Sequence, residues 1–270
     1  MKRQVIAAAA AVMAVGMLAG CGGGSSSTSA KVAGKVADGY LEKATVFLDK
    51  NNNYRLDEGE PNTQTDANGA YTLTVDPADI GKYPIVALAV KAVTIDHDTG
   101  LSVAHSYLLS LPKDSVSGTV SSNFISPITT QVREMMETGN YTMDQAMDQL
   151  HQKLNLSQNT NLMADYMAGA GQNQTLHATA QNMATLMGGQ MGLVYQAGSD
   201  TVVDVNRYRG MMGAMFSNMS SVRAATTDAD MKLLMDQMSS DLNTIMIGQP
   251  FHNMSSYFGG MMGGGRMMGQ

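Results

Sequence analysis

Apolar positions follow two different rhythms along this chain. In its first half they come as short runs rich in β-branched and aromatic residues, ATVFL at 44–48, AYTLTV at 70–75 and IVALAV within 84–95, each bounded by turn-forming residues. Such runs predict strands, and short strands at this spacing predict an antiparallel β-sandwich. Asn68-Gly69, at the end of Thr65-Asp66-Ala67-Asn68-Gly69, supplies the positive φ of a hairpin turn. Asp96-His97-Asp98-Thr99-Gly100 lies between β-like segments 84–95 and 101–109 and reads as a second hairpin, with Gly100 left-handed. The other reading of that cluster is a metal or general-base site on His97. In the second half the apolar spacing becomes three to four residues. Met143, Met147, Leu150 and Leu154 follow a capping box at Thr142 and Gln145, and helical stripes recur at 175–194, 206–222 and 228–247. These predict a bundle of four to six short helices. Beyond Gly248 glycines break every pattern, so 248–270 reads as a disordered tail. The expected fold class is α+β in two domains, a β-sandwich and then a small α-helical bundle.

Composition sharpens the division. No methionine lies between Cys21 and Glu134, whereas 22 of the 25 methionines lie from Met135 onward. A step of that size is hard to place inside one hydrophobic core, so the boundary is set at Ser126-Pro127, giving domains at 31–125 and 126–247. The first residues form a separate unit. Met1-Lys2-Arg3 and the apolar run Ile6 to Leu18 have the layout of an export signal and are too short to span a bilayer. The run ends in Leu18-Ala19-Gly20-Cys21, which resembles the lipobox of bacterial lipoproteins and implies lipidation of Cys21 after removal of residues 1–20. Residues 21–30 then read as a Gly/Ser spacer. Two or more acyl chains anchor stably, so the resemblance implies a partner in the membrane itself and a place in the bacterial cell envelope. Gly22 lacks the Asp that resembles an inner-membrane retention signal, which directs the expectation to the outer membrane, with the leaflet open. Removing Lys2 and Arg3 leaves 15 of 17 basic residues against 23 acidic ones, a net charge of −8 in place of −6. That balance argues against a nucleic-acid partner.

The stretch DKNNNYRLDEGEP carries the most specific chemistry. An EF-hand-type loop takes oxygen ligands at positions 1, 3, 5, 7 through the backbone, 9 and 12. Here those positions hold Asp49, Asn51, Asn53, the carbonyl of Arg55, Asp57 and Glu60, and hard oxygens along a turning backbone select Ca²⁺. Tyr54 stands at position 6, where glycine is expected for the sharp turn. The loop follows a strand, which places the ion in a β-domain. Together with Gly34-Lys35-Val36-Ala37-Asp38-Gly39-Tyr40, Ala44 to Asp49, Gly59-Glu60-Pro61 and Thr65 to Tyr71, this region resembles the transthyretin-like, carboxypeptidase-regulatory-like β-sandwich, including the calcium-loaded B-type repeats of bacterial surface proteins. The resemblance covers about residues 33 to 75. It implies a Ca²⁺-stabilised stalk, spacer or adhesive module without a catalytic centre, meeting another envelope or surface protein. Asn123 to Val132 also resembles the junction by which exported proteins join this sandwich to a helical segment.

The methionines admit three readings. Met is a flexible core filler and a fair helix former; its thioether is a soft ligand for Cu⁺, which would fall mostly on Met261, Met262, Met267 and Met268 and make the chain an envelope Cu/Ag handler; or it lines an adaptable partner groove. Burial distinguishes them. No mature thiol, paired-histidine motif or phosphate-cradling loop stands in the sequence, so a non-catalytic protein is expected. His105, His151, His177 and His252 are scattered singly and read as surface or capping residues.

Overall fold

A computed structural model describes residues 29–118, 123–168, 173–197, 199 and 202–248, with side chains assigned through 243. The expected export signal, Cys21 and tail residues Met261, Met262, Met267 and Met268 lie outside the described residues. The strands are β1 (Ala30–Val36), β2 (Leu41–Glu42), β3 (Thr45–Leu48), β4 (Asn62–Gln64), β5 (Ala70–Val75), β6 (Ile85–Ala89), β7 (Ile95–Asp96), β8 (Leu101–Ser102), β9 (Tyr107–Leu111) and β10 (Asn123–Ile125). The helices are α1 (Pro127–Gly139), α2 (Met143–Lys153), α3 (Gln174–Val194), α4 (Val205–Ser217), α5 (Met219–Ala224) and α6 (Asp228–Gly248). The protein is therefore mixed α+β, strands first and helices after. Among the described residues no helix is long and apolar enough to cross a membrane.

The strands form three small sheets, ordered β10-β1-β5, β2-β7-β8 and β4-β3-β6-β9. β1 runs antiparallel to β5 and parallel to β10, with Gly34 opposite Asn123. A Cβ on Gly34 would stand 1.9 Å from the Asn123 carbonyl oxygen, so only glycine permits this approach. β5 alternates buried and open positions, as a strand with one wet face must. Gly69 has the positive φ expected, but β4 and β5 belong to different sheets, so its turn carries the chain between sheets and is no hairpin. The segment 84–95 is not one strand. It breaks after Ala89 into a turn with Ala92 at φ 61°, and only Ile95-Asp96 pairs again, across the expected hairpin with Gly100 left-handed at φ 68°.

The helical part is fastened to the edge of β9. Ser126 caps α1 in a reciprocal box with Thr129, with Pro127 in the first turn. The same threonines reach the strand: Thr129 Oγ1 donates to the Ser110 carbonyl at 2.8 Å, and Thr130 Oγ1 accepts from the Ser110 N–H at 2.8 Å. From α4, the Tyr208 hydroxyl donates to the Leu108 carbonyl at 2.9 Å. A strand edge that would otherwise be open to water is thus closed by side chains, and β9 is buried throughout.

Apolar residues on both sides of the methionine step belong to one connected core, running from Val32 through Leu111 and Ile128 to Leu242. Met135, Met183, Met187, Met191, Met211, Met212, Met215, Met219 and Met238 are buried in it, while Met231 and Met235 are only partly covered. The stripe at 206–222 divides at Asn218, whose N–H bonds back to Ala214 and Met215, so α4 and α5 are separate helices. The Thr142/Gln145 capping box is present. His151 corrects the expectation of a surface residue: it is buried, with Nε2 at 2.7 Å from the Thr160 carbonyl. His252 lies outside the described residues.

Candidate metal centre

The loop between β3 and β4 is folded around Asp49. Its Oδ1 accepts the N–H of Asn53 at 3.0 Å and its Oδ2 the N–H of Tyr54 at 3.1 Å, an Asx-type turn that curls the backbone over the carboxylate. The curl demands left-handed backbone at two positions, Asn52 at φ 60° and Tyr54 at φ 61°. Asn tolerates that region and tyrosine does not welcome it. Tyr54 therefore supplies, at position 6, the backbone conformation for which glycine is expected.

What holds Tyr54 there is its side chain. The ring is buried, lies 4.8 Å from the Tyr208 ring and has the Arg133 guanidinium 4.3 Å above its centroid, while its hydroxyl donates to Glu134 Oε1. Tertiary packing outweighs a local backbone cost of about 1–3 kcal/mol.

The remaining oxygens gather on the same loop. Asp57 Oδ2 accepts from the carboxamides of Asn51 and Asn53, both at 2.7 Å, and those bonds hold its carboxyl below the usual range. Glu60 is buried and accepts the N–H of Lys50 at 2.7 Å and of Asp57 at 3.0 Å, clamping both ends of the loop. Burial pushes the Glu60 carboxyl up, the two N–H bonds oppose that, and the charges of Asp49 and Asp57 add to the rise. The structure thus brings Asp49, Asn51, Asn53, Asp57 and Glu60 into one hydrogen-bonded loop with Arg55, whose N–H bonds Asn53 Oδ1 at 2.8 Å. Among the described residues no three His, Cys, Asp or Glu side chains stand together as a metal-ligating group. The loop set draws instead on carboxamides and a backbone carbonyl beside its carboxylates. Those oxygens, and the left-handed turn at position 6, fit a hard cation of flexible coordination.

The back of the loop grips α1 through a buried ionic cluster that sequence reasoning missed. Arg133, fully buried, reaches Asp49 Oδ2 at 3.4 Å and Glu137 Oε1 at 3.0 Å and donates to Asn52 Oδ1. Asn52 Nδ2 donates to Glu137 Oε2 at 2.8 Å, and Arg209 of α4 reaches the same oxygen at 3.2 Å. Burial raises Glu137, but Arg133, Asn52 and Arg209 outweigh it and hold the carboxyl below its ordinary value. For Glu134 burial wins, pushing its carboxyl up to about 7 against the pull of Arg133. Only a local trace of the cluster stands in the sequence, Arg133, Glu134 and Glu137 set beside the apolar Val132 and Met135, and α1 is buried at every position from Pro127 to Met135. Arg133 and Glu137 are also an i,i+4 pair.

His97, at the 96–100 turn, has Glu42 Oε2 at 3.2 Å from its Nε2 and no second acidic partner among the described residues. His177 pairs with Asp98 from across the chain. Comparison with family models, with curated proteins and with solved structures finds no match for this chain in any of the three.

Proposed function

We propose that this chain is a lipid-anchored protein of the bacterial cell envelope, a non-catalytic structural or adhesive module whose transthyretin-like β-sandwich is braced by Ca²⁺ at residues 49–60. The observation that carries the reading is the loop itself. Oxygen donors stand at all six expected positions, and the backbone at Tyr54 takes the left-handed turn that such a loop requires. Asp49, Asn51, Asn53, Asp57, Glu60 and the Arg55 carbonyl would hold the ion, which would supply positive charge to the loop's carboxylates. These residues shape the turn and, through Asn52 and Tyr54, pass its rigidity to α1.

The test is thermal unfolding of the full chain with and without calcium. A ligand that binds only the folded state adds RT ln(1 + [L]/Kd), about 2.3 kcal/mol at 5 mM ion and a Kd near 10⁻⁴ M. Glu60→Gln should remove most of that gain. Identical melting curves with calcium and with chelator would reduce the loop to a polar turn. The anchor is tested separately: Cys21→Ser should abolish lipid labelling and firm membrane attachment, and equal labelling of both proteins would end that part of the reading.

A further inference from the structure

A second acidic cluster lies away from the loop and opens into a cavity of about 450 Å³ between the 96–107 region and α3. Asp38 lines it at 7% exposure, a carboxylate more than nine-tenths buried. Its Oδ2 accepts from the Tyr107 hydroxyl at 2.6 Å, and its Oδ1 has no hydrogen-bond partner among the described residues. A buried carboxylate oxygen left in that state costs free energy unless something binds it.

Two further carboxylates stand close by. A Cβ on Gly39 would meet Asp98 Oδ2 at 2.4 Å and Asp96 Oδ1 at 2.6 Å, so glycine beside Asp38 is what lets both oxygens crowd the same point. Asp98 is already committed, to His177 Nε2 at 2.5 Å and Gln181 Nε2 at 2.8 Å. Asp96 uses its oxygens on the Asp98 N–H at 2.9 Å and the Thr99 hydroxyl at 3.1 Å. The free acceptor at Asp38 is therefore one oxygen in a field of negative charge. Burial pushes the Asp38 carboxyl up to about 7, partly offset by the Tyr107 hydroxyl and by its own backbone N–H, and reinforced by the charges of Asp96 and Asp98.

These features select a ligand. No Lys or Arg lines the cavity, and His105 and Gln181 share its wall with the carboxylates of Asp38 and Asp96, so the lining favours a cation over an anion. The acids do not converge as a metal-ligating group. The walls include Val103, Ala184 and Leu101, a leucine left 68% exposed at the cavity. An ammonium group offers three donors and no acceptor, which suits a single free carboxylate oxygen in an acidic surround. We propose that this cavity binds a small primary amine with an apolar body, its ammonium on Asp38 and its body against Leu101, Val103 and Ala184.

The probe is n-butylamine, with 1-butanol as its neutral counterpart, titrated into the full chain while methyl NMR signals of Leu101, Val103 and Ala184 are followed. Butylamine should shift those signals saturably, at least tenfold tighter than butanol. Asp38→Asn keeps a partner for Tyr107 but should weaken the amine tenfold or more. Thr185 lines the cavity from an exposed position on α3, so Thr185→Phe should block binding while leaving the core intact. Butanol binding within tenfold of butylamine, or amine binding that survives Asp38→Asn or Thr185→Phe, would overturn the proposal. So would saturation of the same methyl signals by Ca²⁺ or Zn²⁺ in place of the amine.

Discussion

The loop at 49–60 and the cavity at Asp38 are both acidic, yet their carboxylates are used in opposite ways. In the loop three acids have work within the fold: Asp49 takes two backbone N–H groups and a guanidinium, Asp57 two carboxamides, Glu60 two N–H groups. At the cavity Asp96 and Asp98 are similarly occupied, but Asp38 keeps one oxygen free. A saturated cluster shapes the chain. An unsaturated buried one stores the cost of desolvation until a partner arrives.

The comparison is broken most severely by removing the clasp behind the loop. Arg133→Ala would leave Asp49 buried without its counter-charge and Glu137 with Arg209 alone, and breaking one side of a buried pair costs about 3–5 kcal/mol. Denaturant unfolding should show a loss of that order. A loss under about 1 kcal/mol would mean that water or rearrangement satisfies those acids, and that the loop is less saturated than its contacts imply.

The pH dependence separates the two regions next. Asp38 has a folded value of about 7 against an ordinary 3.8, so the folded state holds its proton more tightly. Its contribution is fully present below the unfolded value and is lost as pH rises through the folded one. Stability should therefore fall between pH 4 and 7, by up to about 1.4 kcal/mol per pH unit from this group. Asp38→Asn should flatten that slope relative to wild type, which cancels the parallel share from Glu134, since both proteins carry it. An unchanged slope would show that Asp38 is solvated.

The smallest effect tests the fastening common to both. Ser126→Ala removes the cap of α1 and should cost about 1 kcal/mol, read from the denaturation midpoint. A much larger loss would show that the seam at β9 depends on Ser126 beyond capping.

What could be read ahead of the structure was what the chain encodes locally. The Thr142/Gln145 box, the left-handed Gly100 and the loop donors sit close to their partners along the chain, while the strands at 45–48 and 70–75 declare themselves by residue type although their partners lie farther off. The clasp was not legible, because Asn52 and Tyr54 meet Arg133 and Glu134 at separations of 81 and 80 residues and Arg209 lies farther still. Nor was the break at Ala92, since nothing in a run of apolar residues announces an alanine at positive φ. Tyr54 is the instructive case. As a departure from glycine it argued against the turn, yet its ring, held between Arg133 and Tyr208, secures that turn. The cavity escaped notice for the reason the clasp did: Asp38, Asp96 and Gln181 are neighbours only once α3 packs beside the 96–107 region.

The side-chain closure of β9 also orders events in time. A chain made from its N-terminus presents β6 and β9 well before Thr129, Thr130 and Tyr208 exist to cover the outer edge of β9. During that interval Tyr107 to Leu111 is an apolar strand with open N–H and C=O groups, a template for pairing with any other nascent copy. β1 waits as well, because its parallel neighbour β10 arrives some ninety residues later, as in the pairing of Gly34 with Asn123. The pairing of β1 with β10 and the cover of β9 therefore form late, and a chaperone that shields residues 107–111 until then should raise the yield of native protein.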